Sequence, residues 1–199
     1  MLLDVTFYGD PVLRKRGATV AVFDKPLADF ARDMLETMAA NEGIGLAAQQ
    51  VGHAKRLFVA DLQSRTAEAE KIILDGKSVP PALLMPLIVA NPEVEYLPGE
   101  KRDVEEGCLS FPEIRGKVSR PWSVRLRYHD VQGKPHVLET SGLLARVIQH
   151  EFDHVEGVLF IDRMDPKYVE GLEPALKKLK RETRDSSKTG ARTISKRAN

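Results

Sequence analysis

Gln149-His150-Glu151-Phe152-Asp153-His154 is the stretch on which the reading of this chain turns. Two histidines four residues apart leave the same side of an α-helix, because four steps of about 100° return nearly to the starting angle. Two imidazoles so placed can share one divalent metal ion, and the glutamate between them can serve a metal-bound water as general base. The flanking residues say that this helix is buried. Over 142–156, Leu144, Ile148, Phe152 and Val155 form one apolar arc, while Leu143 and Val147 lie on another, in line with His150 and His154. A helix that is apolar almost all round belongs in a core, where histidine and glutamate are costly unless paired or bound to metal. Two hydrogen-bonded core histidines would be the plainer reading. Two on one face with an acid beside them favour a ligand pair.

A catalytic metal needs a third protein ligand. The longer pattern H-E-x-x-H-x-x-G-x-x-H fits through Gly157, but Phe160 stands where its third histidine would be. Downstream carboxylates exist at Asp162, Asp165, Glu170 and Glu173, the first two just past the helix and the others in a charged stretch. The remaining candidate is the single cysteine, Cys108, in Glu105-Glu106-Gly107-Cys108-Leu109-Ser110. Its setting between Gly107 and a Leu-Ser-Phe-Pro run suits a tight turn presenting a thiolate. A lone cysteine is more often an inert small core residue, so on this ground the third ligand stays open.

Three motifs in order make the chain resemble the peptide deformylase family, over nearly its whole length up to about residue 165. They are Gly43-Ile44-Gly45-Leu46-Ala47-Ala48-Gln49-Gln50, then Glu106-Gly107-Cys108-Leu109-Ser110, then Gln149 through His154 followed by Gly157. Asp10-Pro11-Val12-Leu13-Arg14 and Arg115 also fall where that family has such residues. The resemblance implies a metallohydrolase that removes the N-formyl group from the formylmethionine of nascent polypeptides, releasing formate, by metal-activated water with glutamate as general base. It implies Cys108, His150 and His154 as metal ligands, Glu151 as the base, and the Gln50 amide and Leu109 backbone N–H as oxyanion donors. It implies ferrous iron as the metal, with zinc, nickel or cobalt as substitutes; the Cys-His-His set by itself suits zinc. For the N-formylmethionyl peptide, Ile44, Leu143 and Val147 are the expected pocket lining. Gly45 and Arg115 are further candidate substrate contacts. Arg146 is expected at the pocket rim, its stem on apolar surface and its charge in water; for Arg115 the plainer alternative is a surface salt bridge with Glu113 or another acid. A zinc peptidase would use the same glutamate but leaves Gln50 and the Glu-Gly-Cys-Leu-Ser run unexplained. A metal-stabilised binding protein needs no glutamate, and it would close the fourth position with a second cysteine or histidine.

Composition fits without having suggested this. The 199 residues allow one domain, and 42% hydrophobic with 30% charged reads as a soluble globular chain. A net charge of +1 makes no case for specific DNA binding. One cysteine excludes an intramolecular disulfide and points to a reducing, cytoplasmic setting. No 18-residue apolar stretch occurs, and no membrane association is expected.

The expected fold is α+β: antiparallel β-sheets packed around a central metal-binding helix, with a basic C-terminal helix and tail. Asp24 is a helix cap with Pro26 in the first turn, and Leu27, Phe30, Ala31, Met34, Leu35 and Met38 recur at helical spacing until Gly43. Residues 55–62, 87–97, 123–129 and 136–140 read as strands, the last two a hairpin across Gln132-Gly133. Residues 63–86 read as a long surface connection outside the compact core, in a position where some such segments act as lids. A division is expected between a catalytic domain at 1–170 and a basic helix with flexible tail at 171–199. From Pro174 to Asn199 nine Lys or Arg face two Asp or Glu, a local charge of +7 that leaves the rest at −6. A helix is expected over 174–184 and disorder beyond Asp185. The basic tail suggests an electrostatic hold on ribosomal RNA, without aromatic residues for base stacking.

Overall fold

The computed structural model describes residues 1–189. Its architecture is two antiparallel sheets with helices, the expected α+β class. The first helix, α1 (Lys25–Ala40), begins where Asp24 accepts a hydrogen bond from Leu27 N at 3.0 Å. Strand β1 (Gly45–Ala47) pairs with β2 (Leu57–Ala60). Strands β3 (Ala69–Leu74) and β4 (Lys77–Ser78) and the short helix α2 (Pro81–Leu84) follow. Next come β5 (Leu87–Tyr96), the hairpin β6 (Lys101–Cys108) and β7 (Phe111–Pro121), then β8 (Ser123–His129) and β9 (Pro135–Gly142). The central helix α3 (Leu143–Val155) and the terminal α4 (Pro166–Thr189) complete the chain.

Seven strands form one sheet in the order β1-β2-β5-β8-β9-β3-β4, and β6-β7 form a second of two strands. Strand β2 is buried on both faces, which is why Leu57-Phe58-Val59-Ala60 is continuously apolar. Phe58 and Ala60 pack in one cluster with Leu144, Ala145 and Ile148 of α3, while Leu57 and Val59 pack in another with Leu27, Met34 and Met38 of α1. The sheet is thus held between two helices, and α3 is buried almost all round, as its sequence demands. Each such Leu, Met or Phe withdrawn from water contributes roughly 1.5–3 kcal/mol.

Two expectations are corrected. Residues 63–86 are not an appendage: β3 and β4 extend the large sheet beside β9, and Ile72 and Leu84 join the core. The terminal helix starts at Pro166, eight residues before Pro174, because Asp165 caps it through Lys167 N at 2.9 Å. Leu176 and Leu179 pack with Leu13, Phe111, Ile114 and Phe160, so this part of the helix belongs to the core, and the division at residue 170 falls inside α4. The flexible tail expected beyond Asp185 lies, from residue 190 on, outside the described residues. Among the described residues no helix is long and apolar enough to cross a membrane.

Candidate active site

Two scaffolds converge on the site. Helix α3 carries His150, Glu151 and His154 on rigid backbone. The β6–β7 hairpin ends in the turn Leu109-Ser110, flanked by Cys108 paired with Phe111, and its register slips between Gly107 and Cys108. The tight turn read in the sequence is this hairpin end. Ligand atoms of Cys108, His150 and His154 all lie within 4.8 Å of one another, and Cys108 Sγ is 3.3 Å from His154 Nε2. The two imidazoles meet edge to face at 5.1 Å, and His150 stacks on Phe160 at 6.0 Å.

This donor set fits a divalent metal ion. A thiol and two imidazoles converge, and the buried Glu151 Oε2 beside them has no hydrogen-bond partner among the described residues. Buried polar atoms are rarely left so. Burial pushes the Glu151 carboxyl up to about 7, and it pushes His154 well below the ordinary imidazole range, with His150 adding to the effect. Burial also opposes protonation of His150, but its hydrogen bonds with Cys108 and Glu106 outweigh that and raise it.

The glycine-rich segment wraps the other side. A Cβ on Gly45 would run into the Glu151 carboxylate, and one on Gly43 would sit 2.9 Å from Leu109 Cδ1. Close approach is therefore the reason for both glycines. The N–H of Ala47 donates to Gln50 Oε1 at 2.7 Å, which leaves the amide nitrogen facing Cys108 Sγ at 3.4 Å. Ile44, Leu143 and Val147 all belong to the large apolar cluster between α3 and the sheet.

Arg115 is 63% exposed and pairs with Glu105 at 2.9 Å, not with Glu113; its guanidinium lies over Gly107. Arg146 is a correction. Its charge is not at a wet rim: the residue is 6% exposed, and its guanidinium donates to Glu106, to Val118 O and to Arg102 O. An acid on the neighbouring hairpin draws the charge inward, and nothing near Arg146 in the sequence announces that.

Arg146 belongs to a buried network that sequence reasoning missed. Glu106 accepts from Arg120 Nε and Arg146 Nη1 at 2.7 Å each on one oxygen, and from Arg120 Nη2 at 3.0 Å and His150 Nδ1 at 2.9 Å on the other. Arg120 also donates to Asp153 at 2.8 Å, and Asp153 accepts from Arg163 at 2.7 Å. Although burial raises it, Glu106 is held far below the usual carboxylate range by His150 and Arg120. The visible signals were Asp153 within the helix motif and Glu106 beside Cys108; Arg120 has none.

A family model described as polypeptide deformylase matches residues 2–170. A peptide deformylase of Opitutus terrae is 49% identical over 192 residues, covering 94% of this chain and 98% of the relative. One from Methylacidiphilum infernorum is 40% identical over 181 residues, covering 91% and 94%. Among solved structures, the peptide deformylase of Thermus thermophilus superposes with a TM-score of 0.78 at 36% identity, covering 92% of this chain and 99% of that one. That of Synechococcus elongatus in complex with actinonin gives 0.74 at 41%, covering 89% and 85%.

Proposed function

The chain belongs to the polypeptide deformylase family, and on that premise we propose that Cys108, His150 and His154 hold its divalent metal ion, with Glu151 as proton carrier. The protein is a hydrolase of protein biosynthesis that removes the N-formyl group from the formylmethionine of nascent polypeptides and releases formate. One observation carries the residue assignment: three metal-ligating side chains converge within 4.8 Å beside a buried carboxylate oxygen that has no partner among the described residues.

Bound there, a divalent metal ion supplies Lewis acidity and a water nucleophile at neutral pH. Glu151 takes a proton from the attacking water at its free oxygen and delivers it to the leaving methionyl nitrogen, and the burial that raises this carboxyl favours its holding the proton between the two transfers. Gln50 Nε2, whose amide is held by the Ala47 N–H, and the Leu109 N–H donate to the formyl oxygen as negative charge builds on it. Gly45 leaves room for Glu151. Ile44, Leu143 and Val147 hold the methionine side chain, and Arg115 meets the peptide beyond it.

Ferrous iron is the metal we propose; ligand type alone also admits zinc, nickel or cobalt. Residues 1–170 carry the catalytic residues, and α4 packs Leu176 and Leu179 onto that body while turning a basic face outward. Its positive face serves contact with ribosomal RNA, where formylated chains emerge. The cytoplasm supplies both that substrate and a reduced thiol. Formate release from a formylmethionyl peptide, with no cleavage of unblocked peptides, tests the activity. Glu151→Gln should keep stoichiometric metal and lose roughly 10²–10⁴-fold in turnover. Comparable turnover in a metal-replete variant overturns the role of Glu151.

A further inference from the structure

The sheet topology poses a problem that the three ligands do not solve by themselves. Cys108 stands on the two-stranded β6–β7 sheet, whose open end is joined to the seven-stranded sheet through Trp122, which donates its N–H to Glu100 O at 3.0 Å and accepts from Gly142 N at 3.2 Å. His150 and His154 stand on α3. That backbone link lies at the open end of the hairpin, away from Cys108, so it does not by itself set how far the cysteine lies from the histidines. Side chains must bridge the gap.

We propose that Arg146 is a positioning residue for the metal site, pinning the hairpin that carries Cys108 to the helix that carries the histidines. This rests on the reading of those three residues as ligands. Arg146 is one helical turn before His150 and two before His154, on the same face of α3. Its Nη1 donates to Glu106 Oε1 at 2.7 Å and to Val118 O at 3.1 Å, and its Nη2 to Arg102 O at 2.6 Å. One side chain thus grips the backbone of both hairpin strands and a carboxylate two residues before Cys108. That carboxylate also receives His150 Nδ1–H at 2.9 Å, so the same clamp orients one ligand ring and locates the thiol. Arg120 bridges from the other side, from β7 to Asp153 of α3, but it grips no backbone of the partner element. The planar fork of arginine spreads its donors in fixed directions toward all three acceptors, whereas a lysine ammonium presents its three from one point on a flexible stem.

The experiment uses the whole protein loaded with Co²⁺, in wild type, Arg146→Met and Arg146→Lys. Near-ultraviolet and visible absorption reads thiolate coordination and ligand geometry, and transfer to a chelator reads metal release. Arg146→Met should change the bands, release metal about 10–100-fold faster and lower kcat, with KM for a formylmethionyl peptide within about twofold of wild type. Arg146→Lys keeps a charge beside Glu106 and should recover part of the loss. If Arg146→Met fails to fold, Arg146→Lys decides by the same readouts. Wild-type bands and release rate in the variant that folds overturn the proposal, as does a raised KM at unchanged kcat, which makes Arg146 a pocket wall. Absence of a thiolate-to-cobalt band in wild type instead removes the ligand assignment beneath it.

Discussion

Gly45→Ala should separate the position of Glu151 from the stability of the fold. Gly45 lies in β1, so its glycine is not demanded by backbone conformation but by space. An added Cβ would collide with Glu151 Oε1 and sit 2.8 Å from Cδ and 3.0 Å from Cγ of the same side chain. All three obstacles belong to one residue, only 3% exposed and packed within α3, so it cannot swing into solvent. Restoring ordinary contact requires the carboxylate to retreat by about 1 Å, a displacement that costs on the order of a hundredfold in rate. That loss is about 2.7 kcal/mol of transition-state stabilisation at 1.36 kcal/mol per decade. The overpacking itself should cost about 1–3 kcal/mol of folding stability.

Steady-state formate release, metal content and thermal unfolding together test this. The expected result is a folded, metal-replete protein with kcat reduced roughly a hundredfold. Gly43→Ala is the comparison: its nearest obstacle, Leu109 Cδ1 at 2.9 Å, is the tip of a movable side chain, so its loss should be smaller. Gly45→Ala turning over within about threefold of wild type would refute the reasoning, because Glu151 could then do its work from a displaced position.

Cys108→Ser should fold but fail to retain stoichiometric metal through dialysis, since a hydroxyl is a far poorer ligand than a thiolate; full iron and activity in that variant would make Cys108 a core residue. Asp162 is pulled down, against burial, by Arg14 and by the Leu159 N–H, so its folded pKa lies below its ordinary 3.8. A depressed carboxylate stabilises above its unfolded pKa and loses that contribution as pH falls through the folded one. The stability gap between wild type and Asp162→Asn should therefore be full at pH 7 and close below about pH 4 in urea titrations; a gap independent of pH contradicts the pairing. Reversing the charges of Lys177, Lys178, Lys180 and Arg181, all exposed on α4, should weaken co-sedimentation with ribosomes, most at low salt, while turnover of a short peptide is kept. Deleting 186–199 should do the same to a lesser degree, and equal binding by all forms leaves the basic end a solubilising one.

What could be read from the sequence was whatever is decided locally. Asp24 and Pro26 announce α1, and apolar spacing carries it to Ala40. The β8–β9 hairpin turns where Gly133 takes a left-handed backbone at φ 84°, as Gln132-Gly133 suggested. The β6–β7 hairpin was missed because its strands do not alternate: Lys101 to Glu105 are all exposed, and a two-stranded sheet has little core to impose a pattern. Strand β3 was missed for a related reason. Only Ile72 is buried in it, and its partner β9 lies more than sixty residues downstream. Cap, period and turn are visible in one stretch of chain; pairing partners and charge partners are not. Arg120 with Glu106, and Asp153 with Arg163, could only be seen once the hairpin was laid against α3.

That same network argues against treating the site as three ligands in an apolar core. Glu106, Arg120, Arg146 and Asp153 are all nearly inaccessible to water. Mutual attraction between buried charges roughly offsets their desolvation and seldom does more, so apolar residues of similar volume could stabilise the fold as well. Stability is therefore a weak reason for their presence. An apolar core could not, however, fix a ring nitrogen. His150 Nδ1 is tied to Glu106, which commits its other nitrogen to the cluster, whereas His154 Nδ1 has no partner among the described residues and its Nε2 faces Cys108 Sγ at 3.3 Å. The two histidines look equivalent in the sequence and are not. One is oriented by charge relayed from the hairpin, the other by the helix it stands on. A loosened hairpin should accordingly free the ring orientation of His150, which Glu106 fixes, more than that of His154, whose polar contact with the hairpin is the Cys108 thiol alone among the described residues.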